Sequence, residues 1–318
     1  MAFFVVLASA WVLGGVALRR LGLRDSVAGV MLRLYAGLCL CAVLSMIVGS
    51  FSLRSVQVIF YIVALLGLGV EQFSRSRRHE PLPRPIFRRP LTRFEKACLT
   101  ALAGSFLLTL ISALAPVTSW DATVAHLALP QAYAMQGCIG LLEGNAYSGY
   151  PHFIHSLFAY VYLESGEAAV SLLNWGFAVL ACSAMYALGN RLCGRTCGLI
   201  AATIFATAPV YMDQAAGASL DLAFAGLSVA ALYSFIAWYE EERPSWLFLA
   251  AFLAGSSCGV RHTGYLVCVL LALGVFAASS PSREEAVKWF GAVAFLGALP
   301  WLARSALLTC NPVYPFFS

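Results

Sequence analysis

The residues of this chain best suited to chemistry gather in one stretch, 116–155, which reads PVTSWDATVAHLALPQAYAMQGCIGLLEGNAYSGYPHFIH. It holds Asp121 and Glu143, His126, His152 and His155, and Tyr133, Tyr147 and Tyr150, and it contains no Lys or Arg. Carboxylates, imidazoles and phenols supply proton acceptors, hydrogen-bond donors and metal ligands. Asp121 follows Thr118 and Ser119, either of which caps a helix starting there. A carboxylate in the first turn is stabilised by the helix dipole and stays ionised, so Asp121 is the candidate base or metal ligand, with capping as its alternative role. His126 and Tyr133, seven apart, share a helical face that Pro130 bends, whereas His126, five from Asp121, lies well round an α-helical cylinder from it. His152 and His155, three apart, also share a face. For them substrate hydrogen bonding, metal binding and plain packing all stay open, and no third metal ligand is evident.

Three further residues stand out along the chain. Asp221 sits in GASLDLAFAGL, at the start of an otherwise apolar helix. An acid placed there is costly to bury unless paired or hydrated, which makes it a functional candidate; Asp213, in the preceding loop, reads as solvated. Arg261 and His262 interrupt the apolar run 246–278, and an arginine's planar fork suits bidentate recognition of oxyanions. Snorkelling at the membrane interface is the plainer role for Arg261. P-loop, GxSxG and HExxH patterns are all missing from the sequence. Energy for any reaction must therefore arrive with the substrate.

The elements that position these residues are membrane helices. Hydrophobic residues make up 61% of the 318 and charged ones 11%, with a mean hydropathy of +0.81. Soluble domains carry roughly 25% charged residues. Crossings need about 20 apolar residues each and must satisfy their own backbone hydrogen bonds, so an all-α, polytopic transmembrane bundle is expected. Long apolar runs place helices at about 2–18, 27–49, 55–73, 97–115, 167–188, 218–239 and 289–308. Shorter runs fall at 198–209, 246–258 and 264–278, suited to surrounding a cavity, and 151–164 reads as a membrane-surface helix or part of a crossing.

Charge orients the threading. Seventeen of the 20 Lys and Arg fall at one side, eight of them in 75–96, leaving Arg54, Arg261 and Arg304 for the other. By the positive-inside rule the N-terminus and 116–155 lie outside the cytoplasm, in a multi-pass protein of the bacterial inner membrane. The basic segment 74–96 reads as a cytoplasmic loop, with an anionic-lipid site as the alternative. The net charge of +5 is spread over loops of one side and signals no nucleic acid. Most of the ten cysteines lie in apolar segments and act as small hydrophobes. Cys193 and Cys197 lack further ligands for zinc, and Cys138 and Cys310 fall on the same external face.

Read in order, W-D-x4-H-x3-P at 120–130, Y-P-H at 150–152, G-R-x2-G at 194–198, A-x2-S-L-D-L-A at 216–223, R-H-T-G at 261–264 and N-P-V-Y-P at 311–315 resemble the GT-C class of polytopic glycosyltransferases. The likeness is to the protein-mannosyltransferase and aminoarabinose-transferase-like branch. It covers 97–318 as a GT-C-like core, with 1–96 as N-terminal helices plus the basic loop. The resemblance implies sugar transfer from a polyprenyl-phosphate donor to a lipid, protein or polysaccharide acceptor outside the membrane, with inversion. It makes Asp121 the base and Asp221 a second acid. Arg261 becomes the cation near the donor phosphate, with His126, Tyr133, Tyr150, His152 and His262 lining the substrate site. Relatives often carry an Asp-Glu pair where Ala122 follows Asp121 here, so no metal site is assigned and a divalent cation stays open as the sole cofactor. They also continue past N-P-V-Y-P, where this chain ends at Ser318, so the core is expected to lack its C-terminal part. A transporter or flippase of a lipid-linked glycan, or a noncatalytic remnant, are the competing functions.

Overall fold

The computed structural model describes residues 1–23, 28–78, 90–278 and 283–316. Among them 13 α-helices follow one another and no β-strand forms. Seven are long and apolar enough to cross a membrane: α1 (Ala2–Arg20), α2 (Gly29–Gly49), α3 (Leu53–Arg78), α4 (Arg93–Ala113), α7 (Glu167–Cys193), α10 (Asp221–Glu241) and α13 (Arg283–Thr309). The protein is a multi-pass helical bundle, as its composition demands. α8 (Arg195–Thr207) and α9 (Pro209–Ala215) together form an eighth candidate span, bent by 69° where Pro209 follows Ala208. α11 (Pro244–Cys258) and α12 (Gly264–Ala278) have 15 residues each. They are therefore about 22 Å long, short of a hydrocarbon core of about 30 Å.

Small residues let the helices approach closely, as they must where lipid removes the hydrophobic drive for helix association. A Cβ on Gly37 of α2 would lie 1.8 Å from the Ala10 carbonyl oxygen of α1, and one on Gly255 of α11 would lie 1.9 Å from that of Ala294 in α13. Either substitution would push a helix pair apart.

The segment 151–164, open from sequence as a membrane-surface helix or part of a crossing, packs into the bundle. It forms α6 (Phe153–Ser165), with 153–161 all buried. Its polar groups explain the depth, because they are answered by α2. Ser156 Oγ donates to the Ala42 carbonyl at 3.1 Å, and Ser45 Oγ donates to the Ser156 carbonyl at 2.8 Å. α5 (Ala128–Gln136) packs on α6 and stops at Gly137, which takes a left-handed φ of 78°. The α2–α3 turn then clasps this loop: Leu53 N donates to the Gly137 carbonyl at 2.9 Å, and Ile139 N to that of Gly49 at 2.8 Å.

The ends of the bundle are chemically distinct. At one, Arg191 bridges Glu240 and Glu241, Arg195 bridges Glu95, and Arg243 donates to the Gly22 carbonyl. At the other lie Arg261, Arg304 and the stretch 116–155. Most of the basic segment between α3 and α4 falls on 79–89, outside the described residues, as does Arg24.

Candidate active site

The site is assembled from four loops at that second end. Val117 N donates to Glu167 Oε1 at 2.8 Å, fixing the start of the 116–155 stretch on α7. Asn174 of α7 donates to the carbonyls of Gln214 and Gly217 at 2.7 and 2.6 Å, which holds the loop before α10 beside it. Phe153 N donates to the Gly259 carbonyl at 2.9 Å, locking the start of α6 to the α11–α12 turn that carries Arg261. A Cβ on Gly259 would sit 2.6 Å from the Phe153 ring, so the contact requires glycine.

Asp121 enters by a route the α-helical period does not predict. Ser119 accepts through its carbonyl from Thr123 N at 3.1 Å rather than capping with its side chain, and 122–126 then winds as a π-turn, closed by Leu127 N donating to the Ala122 carbonyl at 2.7 Å. The wider i→i+5 turn, common at functional sites, brings residues five apart towards one face. Asp121 and His126 are thus less widely separated round the axis than on an α-helix, and the Asp121 carboxylate lies within electrostatic reach of the His126 ring. The Asp121 side chain is exposed and makes no hydrogen bond or ion pair among the described residues.

Asp221 is the first residue of α10 and pairs through Oδ1 with Arg261 Nη2 at 2.8 Å, each side chain 40% exposed. The two residues singled out separately in the sequence are direct partners. Both also act electrostatically on His126, so one acid–base–cation cluster joins Asp121, His126, Asp221 and Arg261. Beneath it an apolar cavity is lined by Tyr35, Leu38, Cys39, Phe153, Ala223 and Val260.

The histidines form two hydrogen-bonded chains whose proton positions follow from their ends. A carbonyl only accepts, so the His155 nitrogen facing the Pro151 carbonyl, Nδ1 at 3.4 Å, carries the proton. His155 Nε2 is then an acceptor, and His126 Nδ1, 3.1 Å away, must donate to it. The remaining His126 nitrogen, Nε2, keeps a lone pair with no hydrogen bond among the described residues. In the same way His152 Nδ1 donates to the Tyr150 carbonyl at 2.8 Å, so its Nε2 accepts from the Tyr133 hydroxyl at 2.8 Å. His126 and Tyr133 do share a face, both meeting α6. Burial holds His152 and His155 well below the usual histidine range and lowers His126 too, with Arg261 adding to the effect there against the opposing pull of Asp121 and Asp221. All three rings are neutral near pH 7. Burial raises the Tyr133 phenol.

Tyr150 and His262 belong to an aromatic wall. His262 Nε2 donates to the Tyr314 carbonyl at 2.8 Å, and its ring packs edge-on against Tyr150, Trp301 and Phe316. Burial lowers its pKa as well. Among the described residues no group of three or more His, Cys, Asp or Glu side chains is arranged for a metal ion. Sequence reasoning missed Arg304, which is 6% exposed and donates through Nη2 to the Ser148 carbonyl at 3.2 Å. The signal was present: an arginine inside the apolar run 289–308 is a functional candidate by the same reasoning that selected Asp221.

Residues 150–303 match the family model described as dolichyl-phosphate-mannose-protein mannosyltransferase. The chain resembles a GT-C membrane glycosyltransferase. The matched range runs from Tyr150 to the last turns of α13 and includes His152, Asp221, Arg261 and His262, whereas Asp121, His126 and Tyr133 precede it. No curated protein and no solved structure matches the chain.

Proposed function

We propose that the chain transfers a sugar from a polyprenyl-phosphate donor to an acceptor hydroxyl, with Asp121 as general base and the site end facing out of the cytoplasm. The observation carrying this reading is an unpaired, exposed carboxylate beside a half-exposed Asp221–Arg261 pair and a neutral His126 with a free lone pair. Asp121 takes the acceptor proton as the acceptor oxygen forms its bond to the anomeric carbon. The bond from that carbon to the phosphate oxygen breaks, its electron pair leaving with the phosphate, and attack from the opposite face inverts the centre. His126 Nε2 accepts a hydrogen bond from a substrate hydroxyl, and Asp221 orients the sugar while holding Arg261. Arg261, half exposed, faces the charge that develops on the leaving group. Tyr133 and His152 support the wall on which Tyr150 and His262 meet the substrate.

A divalent cation does not suit these residues. One carboxylate is free, the other is engaged by an arginine that would repel a cation, and Ala122 stands where a second acid would be needed. Orientation rests on charge: the arginine-rich end takes the cytoplasmic side by the positive-inside rule, placing the N-terminus with the site outside a bacterial inner membrane. Residues 1–96 act as an N-terminal addition to the core at 97–318. Purified protein incubated with a panel of polyprenyl-phosphate sugars tests the function: consumption of one donor supports it, and inertness towards all of them with every class of acceptor hydroxyl overturns it.

A further inference from the structure

Among the described residues Arg304 is a buried cation at the site end with no acid in ion-pair distance. It is 6% exposed, its Nη2 donates to the Ser148 carbonyl at 3.2 Å and reaches that of Gly140 at 3.5 Å, and its Nε and Nη1 have no hydrogen-bond partner. Three of its five N–H groups thus lack an acceptor within bonding distance. Its neighbours do not answer the charge. The Tyr133 hydroxyl beside it donates to His152 and offers the guanidinium an oxygen lone pair but no charge, and His152 and His155 are neutral. Arg261, by contrast, is already balanced by Asp221 at 2.8 Å.

Burying a guanidinium without a counter-ion is strongly unfavourable. Ordered water would answer its hydrogen bonds but not its charge. We infer that Arg304 is the cation of an anion-binding site, bounded by Tyr133, Gly140 and Ser148, that takes a phosphate group. Next to Ser148, Tyr314 packs so closely over Gly149 that an added Cβ would lie 2.6 Å from its ring. A phosphate there would satisfy the idle N–H groups and leave the histidines neutral. Arg304 would then add a second fixed charge on the leaving group's side, alongside Arg261, which stays paired with Asp221. This assignment of the group rests on the glycosyltransferase reading; the anion site itself does not.

A prenyl headgroup and the free ion carry the same phosphate chemistry, and two probes separate them. Detergent-purified protein is titrated with farnesyl phosphate and with inorganic phosphate, followed by 31P NMR, with farnesol as the uncharged control. Farnesyl phosphate is expected to bind the wild type at least tenfold more tightly than Arg304→Met, with Arg304→Lys between them, while farnesol does not discriminate. Binding of inorganic phosphate alone, lost in Arg304→Met, keeps the anion site and removes the donor headgroup as its occupant. Equal affinities in the wild type and a folded Arg304→Met overturn the inference. Should that variant not fold, undiminished binding by Arg304→Lys, or no binding of either probe to the wild type, overturns it equally. Binding without any sugar transfer would sink the transferase reading and leave the anion site standing.

Discussion

The two ends of this bundle treat charge in opposite ways. At the arginine-rich end, positive groups meet carboxylates: Arg195 bonds Glu95, which is fully buried, and Arg191 is gripped by Glu240 and Glu241 at 2.8 Å each. A little further into the bundle Arg33 and Glu71 pair at 2.6 Å, each 12% exposed. At the other end, among the described residues, Asp121 has no hydrogen-bond or ion-pair partner, Arg304 has carbonyls but no acid, and the ion pair found there, Asp221–Arg261, is half open to solvent. Completed pairs hold helices together. Incomplete ones are where a ligand has something to add, and that contrast separates scaffold from site.

Substitutions at the two ends should therefore separate activity from stability. The largest effect is expected for Asp121→Asn, which keeps the shape and removes the base. Sugar transfer should fall by roughly 10²–10⁴-fold with an unchanged melting temperature, and a folded variant at the wild-type rate would end the proposed role. Glu71→Gln should do the reverse. It leaves a buried arginine unanswered, costing about 3 kcal/mol of stability in denaturant unfolding, while the rate per folded molecule stays the same. Gly259→Ala should show both effects in milder form. The added methyl presses on the Phe153 ring and costs about 1–3 kcal/mol, and by shifting the turn bearing Arg261 it should raise KM more than it lowers stability.

The smallest effect is a pH slope confined to the site end. Histidines held neutral by burial have folded pKa values below the unfolded value of about 6.5, so the unfolded state binds more protons in acid. Their stabilising contribution is complete above that value and is lost as pH falls from it towards the folded values. Thermal melts of the wild type should drop through this window, and His155→Gln should flatten the slope. An identical slope in that variant would show that His155 is not among the groups taking up protons.

Much of this was legible in the residues themselves. Apolar runs separated by arginines gave the helices to within a few residues, and the segregation of the described charges to two ends follows from the same pattern. Asp221 and Arg261 could be chosen because charged groups in apolar runs are expensive. Their pairing could not, since they are 40 positions apart with the whole of α11 between them. The π-turn between Asp121 and His126 was not legible for a local reason: a spacing of five belongs to opposite faces of an α-turn and to neighbouring faces of a π-turn, and nothing in ATVAH announces which one forms. Length and hydropathy left 151–164 open between a surface helix and part of a crossing, because they do not reveal that α2 offers a carbonyl and a hydroxyl to Ser156.

By itself the sequence determined that this is a helical membrane protein with its chemistry at one end, because lipid rejects unpaired backbone and charge wherever they occur along a chain. Only the tertiary structure decided which charges are answered. Whether Asp121 is free, Arg261 paired or Arg304 stranded depends on which groups from distant helices arrive within about 3 Å, the reach of a hydrogen bond.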